Sequence, residues 1–350
     1  MRSPLRAAAG AAFLGAFALS SAHAQPSPDG HAPIGVMADH THAGGEAMLS
    51  VRTMYMGMAG SRLGTDGIAD ADIVAPDGQN FLVTPSEMPM TMTMLGAMVA
   101  PTDRITIMAM VPYVSMSMDH RSRQSVAADP GAVAFSTESA GIGDVSATAL
   151  VKLARIAGGQ VHAGLGASVP TGSVDQRDDT PMGEDQLLPY PMQTGSGTVD
   201  LRPSLTAFTK GDRLSGGGQV RGTVRLGTNR RDFAYGDAVG LTAWGAARVT
   251  DFASVSLRLD GQAWGNVTDE GSNYAMGVDS RLVPTVFPEL RAGERVELSA
   301  GVNTVVTGGP LAGLRLAAEA GLPVYQRLAG PQLETDVTVT VGAQYAFSLF

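Results

Sequence analysis

The chain has 350 residues, 33 acidic against 24 basic side chains, and a formal charge of −9. That balance excludes a nucleic-acid partner, which needs a dominant basic surface. The absence of cysteine excludes disulfides, thiolate metal sites, cysteine nucleophiles and a lipid anchor on an N-terminal cysteine.

In chain order, the first segment reads as an export signal. Arg2 and Arg6 give a positive start, residues 7–19 are apolar and uncharged, and Ala22-His23-Ala24 fits a small-x-small cleavage site. The apolar run is too short to span a bilayer as a helix, and every later one is interrupted before the required ~20 residues. Residues 25–46 follow as a flexible periplasmic segment. It carries His31, Met37, His40 and His42, candidate ligands for a copper-like metal because His-x-His places two imidazoles close together.

From residue 47 to 350 the chain alternates with period 2. Successive side chains of a strand point to opposite faces. Twelve segments behave this way: 48–58, 88–99, 104–118, 143–153, 161–169, 198–208, 219–227, 239–249, 255–263, 296–302, 314–322 and 337–347. In the last, Val337, Val339, Val341, Tyr345 and Phe347 oppose Thr338, Thr340 and Gln344. Short turns such as Ala157-Gly158-Gly159 alternate with long polar connections such as 59–87, 119–140, 171–197 and 266–291. An even number of ~10-residue strands with alternating short and long connections is the signature of an all-β transmembrane antiparallel barrel of about 12 strands in the bacterial outer membrane. A periplasmic β-sandwich is the soluble alternative, but it calls for larger aromatics and fewer charges on each strand.

If the apolar face meets lipid, the other face lines a lumen. Arg221, Arg225, Arg248, Arg258 and Asp260 fall on it, with Trp244 and Trp264 at the same parity, suited to stacking on an arginine or an aromatic solute. Thirteen of the 18 methionines lie between Met48 and Met118, all at even positions. Shared parity means a shared face, so Met54, Met56, Met90, Met92, Met94, Met108 and Met110 are candidate lining residues. The middle strand is the ambiguous one: Met90, Met92 and Met94 oppose Pro89, Thr91 and Thr93, which are poor partners for lipid. Thioethers suit soft metal ions, an apolar solute, or simple packing.

Gly141-Ile142-Gly143-Asp144, Pro170-Thr171-Gly172 and Gly195-Ser196-Gly197-Thr198, in that order and spacing, resemble the outer-membrane family named for the MetA pathway of phenol degradation. The resemblance runs over about 46–347. It implies a monomeric outer-membrane barrel, inserted by the barrel assembly machinery, that passes small aromatic or hydrophobic compounds, with no catalytic residues to carry over. Soft-metal handling and a structural barrel with a plugged lumen are the alternatives. Outer-membrane phospholipases also use twelve strands and a Ser/His pair, but His120 and Ser122 fall in an expected loop and no HExxH, P-loop or dinucleotide motif accompanies them. An enzyme is not expected, nor a cofactor beyond the copper-like metal.

Overall fold

The computed structural model describes residues 27–126 and 134–349. The segment expected as an export signal and the terminal Phe350 lie outside them. Eleven strand elements make the wall, each paired with the one before. They are β1 (Glu46–Gly64), β2 (Met90–Thr102), β3 (Ile105–Ser122), β4 (Val145–Ile156), β5 (Gly159–Val169) and β6 (Val199–Lys210). The series continues with β7 (Leu214–Leu226), β8 (Ala238–Arg248), β9 (Ala253–Trp264), β10 (Gly293–Val305) and β11 (Arg315–Ser348). Antiparallel pairing of β11 with β1, from Glu46 opposite Ser348 to Gly57 opposite Val337, closes the barrel.

The last element turns back on itself. Its first limb pairs with β10, ending with Leu328 opposite Gly293; its second limb pairs with β1. Gln326 Nε2 donates to the Thr335 carbonyl and Thr335 N donates back to Gln326 Oε1, both at 2.9 Å. Arg315 also bonds Gln344, a pair that a straight strand at ~3.3 Å per residue would hold roughly 95 Å apart. The eleven elements therefore supply twelve staves, the expected number. Closure leaves no unpaired strand edge, which is what allows a sheet to cross lipid. No described helix is long and apolar enough to cross a membrane; the crossing is made by strands.

The alternation sorts as expected. Leu165, Leu241 and Leu257 point outward, between 62% and 67% exposed, in a band that only lipid can cover favourably. The short connections, at 102–105, 156–159, 210–214 and 248–253, share one end, the periplasmic end of such barrels. At the other end the wall outgrows its expected length. Segments 119–140 and 59–87, expected as loops, are in large part structured: the end of β3 pairs with Ala134–Ile142, and Val83–Glu87 pairs with β3. Pairing satisfies backbone groups that would otherwise depend on water where the chain leaves the membrane.

The N-terminal segment departs most from expectation. Expected as a flexible tail, residues 27–45 lie inside the periplasmic half of the barrel. Ala32, Ile34 and Val36 are at most 3% exposed. The wall supplies donors to the segment's carbonyls. Ser254 Oγ donates to Pro28, Arg315 Nη2 to Ala32, and Arg52 Nη1 to Ile34 and Val36. Gln219 Nε2 donates to Met37 and His162 Nε2 to Ala38. A short apolar run inside a polar segment thus finds a dry surface, and its backbone finds partners.

Candidate functional site: the barrel lumen

The lumen has two unlike walls. On β1, β2 and β3 the methionines point inward and meet across strands: Met98 sits opposite Met48 and Met108, Met92 opposite Met54, and Met90 opposite Met56 and Met116. Strand β2 is settled by its neighbours, since Leu95, Ala97 and Val99 are exposed outward while Met98 is buried. The upper methionines, Met88, Met116 and Met118, pack with Leu188 and Met192 of an outer loop. The lower ones, Met48, Met98 and Met108, pack with Ala38 of the plug and Leu150. Met94 and Met110 border the narrow space between plug and wall, beside Met37, Asp39 and Arg52.

The other wall is charged. Arg258 is its hub, 2.6 Å from Glu319 Oε1, 3.2 Å from Glu297 Oε1 and 3.4 Å from Asp260 Oδ1. Arg221 grips Asp260 through two bonds of 2.9 Å, and Arg225 pairs with Asp200. Such buried charges are tolerable only when fully paired. Four lumen-facing guanidiniums differ; Arg52 and Arg315 are held by carbonyls of the plug instead of a carboxylate, which leaves Arg202 and Arg295. Among the described residues no carboxylate lies within ion-pair distance of Arg202 or Arg295; Arg202 is solvent-exposed, and Arg295 donates to Thr335 Oγ1 at 2.7 Å and approaches Met56 Sδ at 3.9 Å. The charged side chains run from β6 to the first limb of β11, on the side of a twelve-stave barrel across from β2 and β3.

Several expected lining residues serve elsewhere. Trp244 does not stack on an arginine: it is buried against Ala32 and Val36 of the plug, with Gly217 leaving room for its ring. Trp264 lies roughly 20 Å further along the barrel by strand rise, at the outer rim, donating to the Arg291 carbonyl at 2.8 Å. It borders a cavity of about 830 Å³ among the outer strand ends, with Leu63, Val224, Val239, Leu328, Asp237 and Glu294. Arg248 sits at a periplasmic turn and donates to the Asp212 carbonyl. The arginine–aromatic stackings among the described residues are Arg225 with Tyr235 and Arg281 with Phe81 and Phe287. His120 and Ser122 lie on the inner face of β3, not in a loop, and His120 stacks on Phe135 at 4.6 Å. His31 and His40, expected as tail ligands, are brought together with Asp39 inside the barrel. His42 stands edge-on to His40, while Met37 Sδ accepts from Arg52 at 2.7 Å.

The outer end is capped. Ile73, Phe81, Val283, Val286 and Phe287 form one apolar cluster; Val174, Tyr190, Phe233 and Val267 form another. The three Gly-rich motifs meet at one node beneath this cap. Asp144 Oδ1 accepts from Gly172 N at 3.0 Å, and Oδ2 accepts from Ser196 N and Oγ, each at 2.7 Å. Gly172 and Gly195 approach so closely that a Cβ on either would lie 2.6 Å from the other's backbone. Thr198 Oγ1 then donates to Asp200, which links the node to Arg225.

Sequence reasoning missed Asp39, Arg295 and the plug itself. The signal for the plug was present: Ala32-Pro33-Ile34-Gly35-Val36 is an apolar run in a segment otherwise rich in His, Asp and Pro.

No family model matches the chain, and no curated protein matches it. Among solved structures it is similar to a COG4313 outer membrane channel from Pseudomonas putida F1, with a TM-score of 0.58, 12% identity, and coverage of 90% of this chain and 100% of that one. A Pseudomonas aeruginosa FadL homologue (TM-score 0.40, 12% identity, 87% and 90% covered) and the NanC porin (0.40, 8%, 85% and 98%) are more distant. At 12% identity the first likeness concerns the fold. The finer family resemblance carried by the Gly-rich motifs finds no matching family model. What holds is the coarser statement: this chain has the fold of an outer-membrane β-barrel.

Proposed function

We propose that this barrel passes a small solute with an apolar, aromatic-type body and an anionic end. One observation carries the reading: a polarisable methionine wall on β1–β3 faces an arginine wall in which Arg202 and Arg295 have no carboxylate partner among the described residues. Thioethers adapt to irregular apolar shapes and contact aromatic rings favourably. An unpaired guanidinium offers a planar fork for a carboxylate. The chain's likeness in fold to a protein described as an outer membrane channel supports passage over a purely structural role. The reading includes a monomer, because closure leaves no edge that needs a partner.

The test is flux into liposomes carrying the purified barrel. Benzoate, as a small aromatic carboxylate, should enter faster than a neutral sugar of similar size, and Arg202→Gln with Arg295→Gln should cut that preference at least fivefold. No flux above empty liposomes for any solute would overturn the reading in favour of a plugged structural barrel.

A further inference from the structure

We propose that His31, Asp39 and His40 form a binding site for one late first-row divalent cation, with Cu²⁺ held more tightly than Zn²⁺. The site lies within the plug and goes beyond the passage of any solute. Its potential ligand atoms all lie within 4.8 Å of one another. His31 Nδ1 stands 3.3 Å from His40 Nδ1, His40 Nδ1 is 2.8 Å from Asp39 Oδ1, and His31 Nδ1 is 3.9 Å from Asp39 Oδ2. Two nitrogens bound to one tetrahedral ion at ~2.05 Å are separated by ~3.3 Å, the spacing of the two imidazoles here.

A hydrogen-bonded triad explains only part of this arrangement. His40 Nδ1–H satisfies Asp39 Oδ1, and the other carboxylate oxygen accepts from Ala32 N at 2.9 Å. His31 Nδ1 then faces a nitrogen whose proton is already directed at a carboxylate. His40 is 9% exposed, and its Nε2 is buried without a partner, as is Nε2 of the adjoining His42. Those Nε2 atoms lie on the far side of the rings from the Nδ1 cluster, and with a cation on Nδ1 they are where each imidazole carries its proton.

The protonation states suit a cation. Burial, and then His40, hold the His31 imidazole well below its ordinary pKa, so it is neutral. Burial works against the charged form of Asp39, but its contact and hydrogen bond with His40, together with the nearby Arg315 guanidinium, hold it well below the ordinary carboxylate range. Neutral imidazole and carboxylate are the forms that bind metal. Arg315 stands close enough to act on both His31 and Asp39, so the single carboxylate charge is needed to offset it. Two imidazoles with one carboxylate suit Cu²⁺ and Zn²⁺, and the general order of affinity puts Cu²⁺ first. The bound ion would tie residue 31 to residues 39 and 40, clamping the loop that carries Ile34 and Val36 into the lumen.

The experiment uses untagged full-length barrel purified from membranes, stripped with EDTA and titrated with CuCl₂ or ZnCl₂ alone. One equivalent should bind with sub-micromolar Kd, Cu²⁺ more tightly than Zn²⁺. His31→Ala and His40→Ala should each weaken binding at least 30-fold, and His120→Ala should leave it unchanged. The barrel's strand pairing does not involve the plug, so heat-modifiable migration verifies folding of each variant. Electron paramagnetic resonance of the Cu²⁺ form should show two nitrogen donors. No stoichiometric binding, affinities unchanged by His31→Ala and His40→Ala, or a spectrum without nitrogen coupling would each overturn the proposal.

Discussion

Gly35 is the place where the plug meets the charged hub, and replacing it with alanine should release the plug while leaving the barrel intact. A Cβ at residue 35 would fall within clash distance of Glu319 Oε1, 2.8 Å from Arg258 Nη2 and 3.2 Å from Arg258 Cζ. Neither neighbour is free to retreat. Glu319 Oε1 receives two bonds from Arg258, at 2.6 and 2.9 Å, and Arg258 Nη2 is also held by Glu297 and Ser299. Overpacking against fixed neighbours costs ~1–3 kcal/mol. Against that, alanine lowers the entropy of the undocked segment, worth ~0.4–1 kcal/mol in favour of docking. Gly35 has no left-handed backbone, so alanine incurs no strain there. Taking the middle of each range leaves about 1.3 kcal/mol of destabilisation, roughly tenfold in the docking equilibrium.

The chain has no cysteine, which makes the assay direct. Ile34, 1% exposed, is replaced by cysteine, and its modification by a soluble maleimide is timed with and without Gly35→Ala. Where opening is fast relative to labelling, the rate follows the open fraction, so a rise of about tenfold is expected. Gly67→Ala, where a Cβ would meet nothing within 4 Å, should change nothing. Equal rates with and without Gly35→Ala, within a factor of two, would refute the packing of Gly35 on the hub.

Two further outcomes are expected. Asp144→Ala removes the acceptor for Gly172 N, Ser196 N and Ser196 Oγ, leaving a buried amide unpaired; at ~1.5–3 kcal/mol per charged hydrogen bond, the 171–198 loop should become at least tenfold more sensitive to protease in intact cells while the barrel stays heat-modifiable. Met90→Leu, Met92→Leu and Met94→Leu together should fold normally, since volume-conserving swaps cost under ~1.5 kcal/mol each; Cu²⁺ binding in the plug should be unchanged, and loss of it would shift the ligands to the methionine wall.

The wall was legible because a lipid-facing strand has no freedom in its pattern. Every second side chain must be apolar, so 337–347 or 161–169 discloses its faces residue by residue. The methionines of β2 resisted that logic because Thr91 and Thr93 oppose them, and only pairing with β1 and β3 resolves which face is inner. The outer structures were poorly legible: Ala134–Ile142 and Val83–Glu87 extend the sheet in water, where no alternation is enforced. The plug escaped for a different reason. Its stability is borrowed from Arg52, Arg315, His162, Gln219 and Ser254, spread over five staves. No local pattern in 27–45 contains those partners. Trp244 was placed on the correct face but given the wrong companion, since a parity argument fixes direction and not what occupies the space opposite.

The methionine face gains its meaning from what covers its two ends. Below, Met48, Met98 and Met108 seat the plug; above, Met88, Met116 and Met118 seat Leu188 and Met192 of the outer loop. An unbranched thioether can repack when either cover moves, whereas leucine or isoleucine would hold one shape. The same side chain therefore suits both ends of a lumen whose covers are separate pieces of chain. Between them Met54, Met56, Met92, Met94 and Met110 stay only half-buried, and Met56 Sδ touches Arg295 at 3.9 Å where the two walls adjoin. The charged wall cannot move this way, because displacing Arg258 would leave the buried Glu319 carboxylate without its ion-pair partner and break the contacts to Glu297 and Asp260. The asymmetry assigns motion to the β1–β3 side and rigidity to the β6–β11 side, which is why Gly35, packed on the rigid side, is the residue at which a single methyl group should loosen the plug.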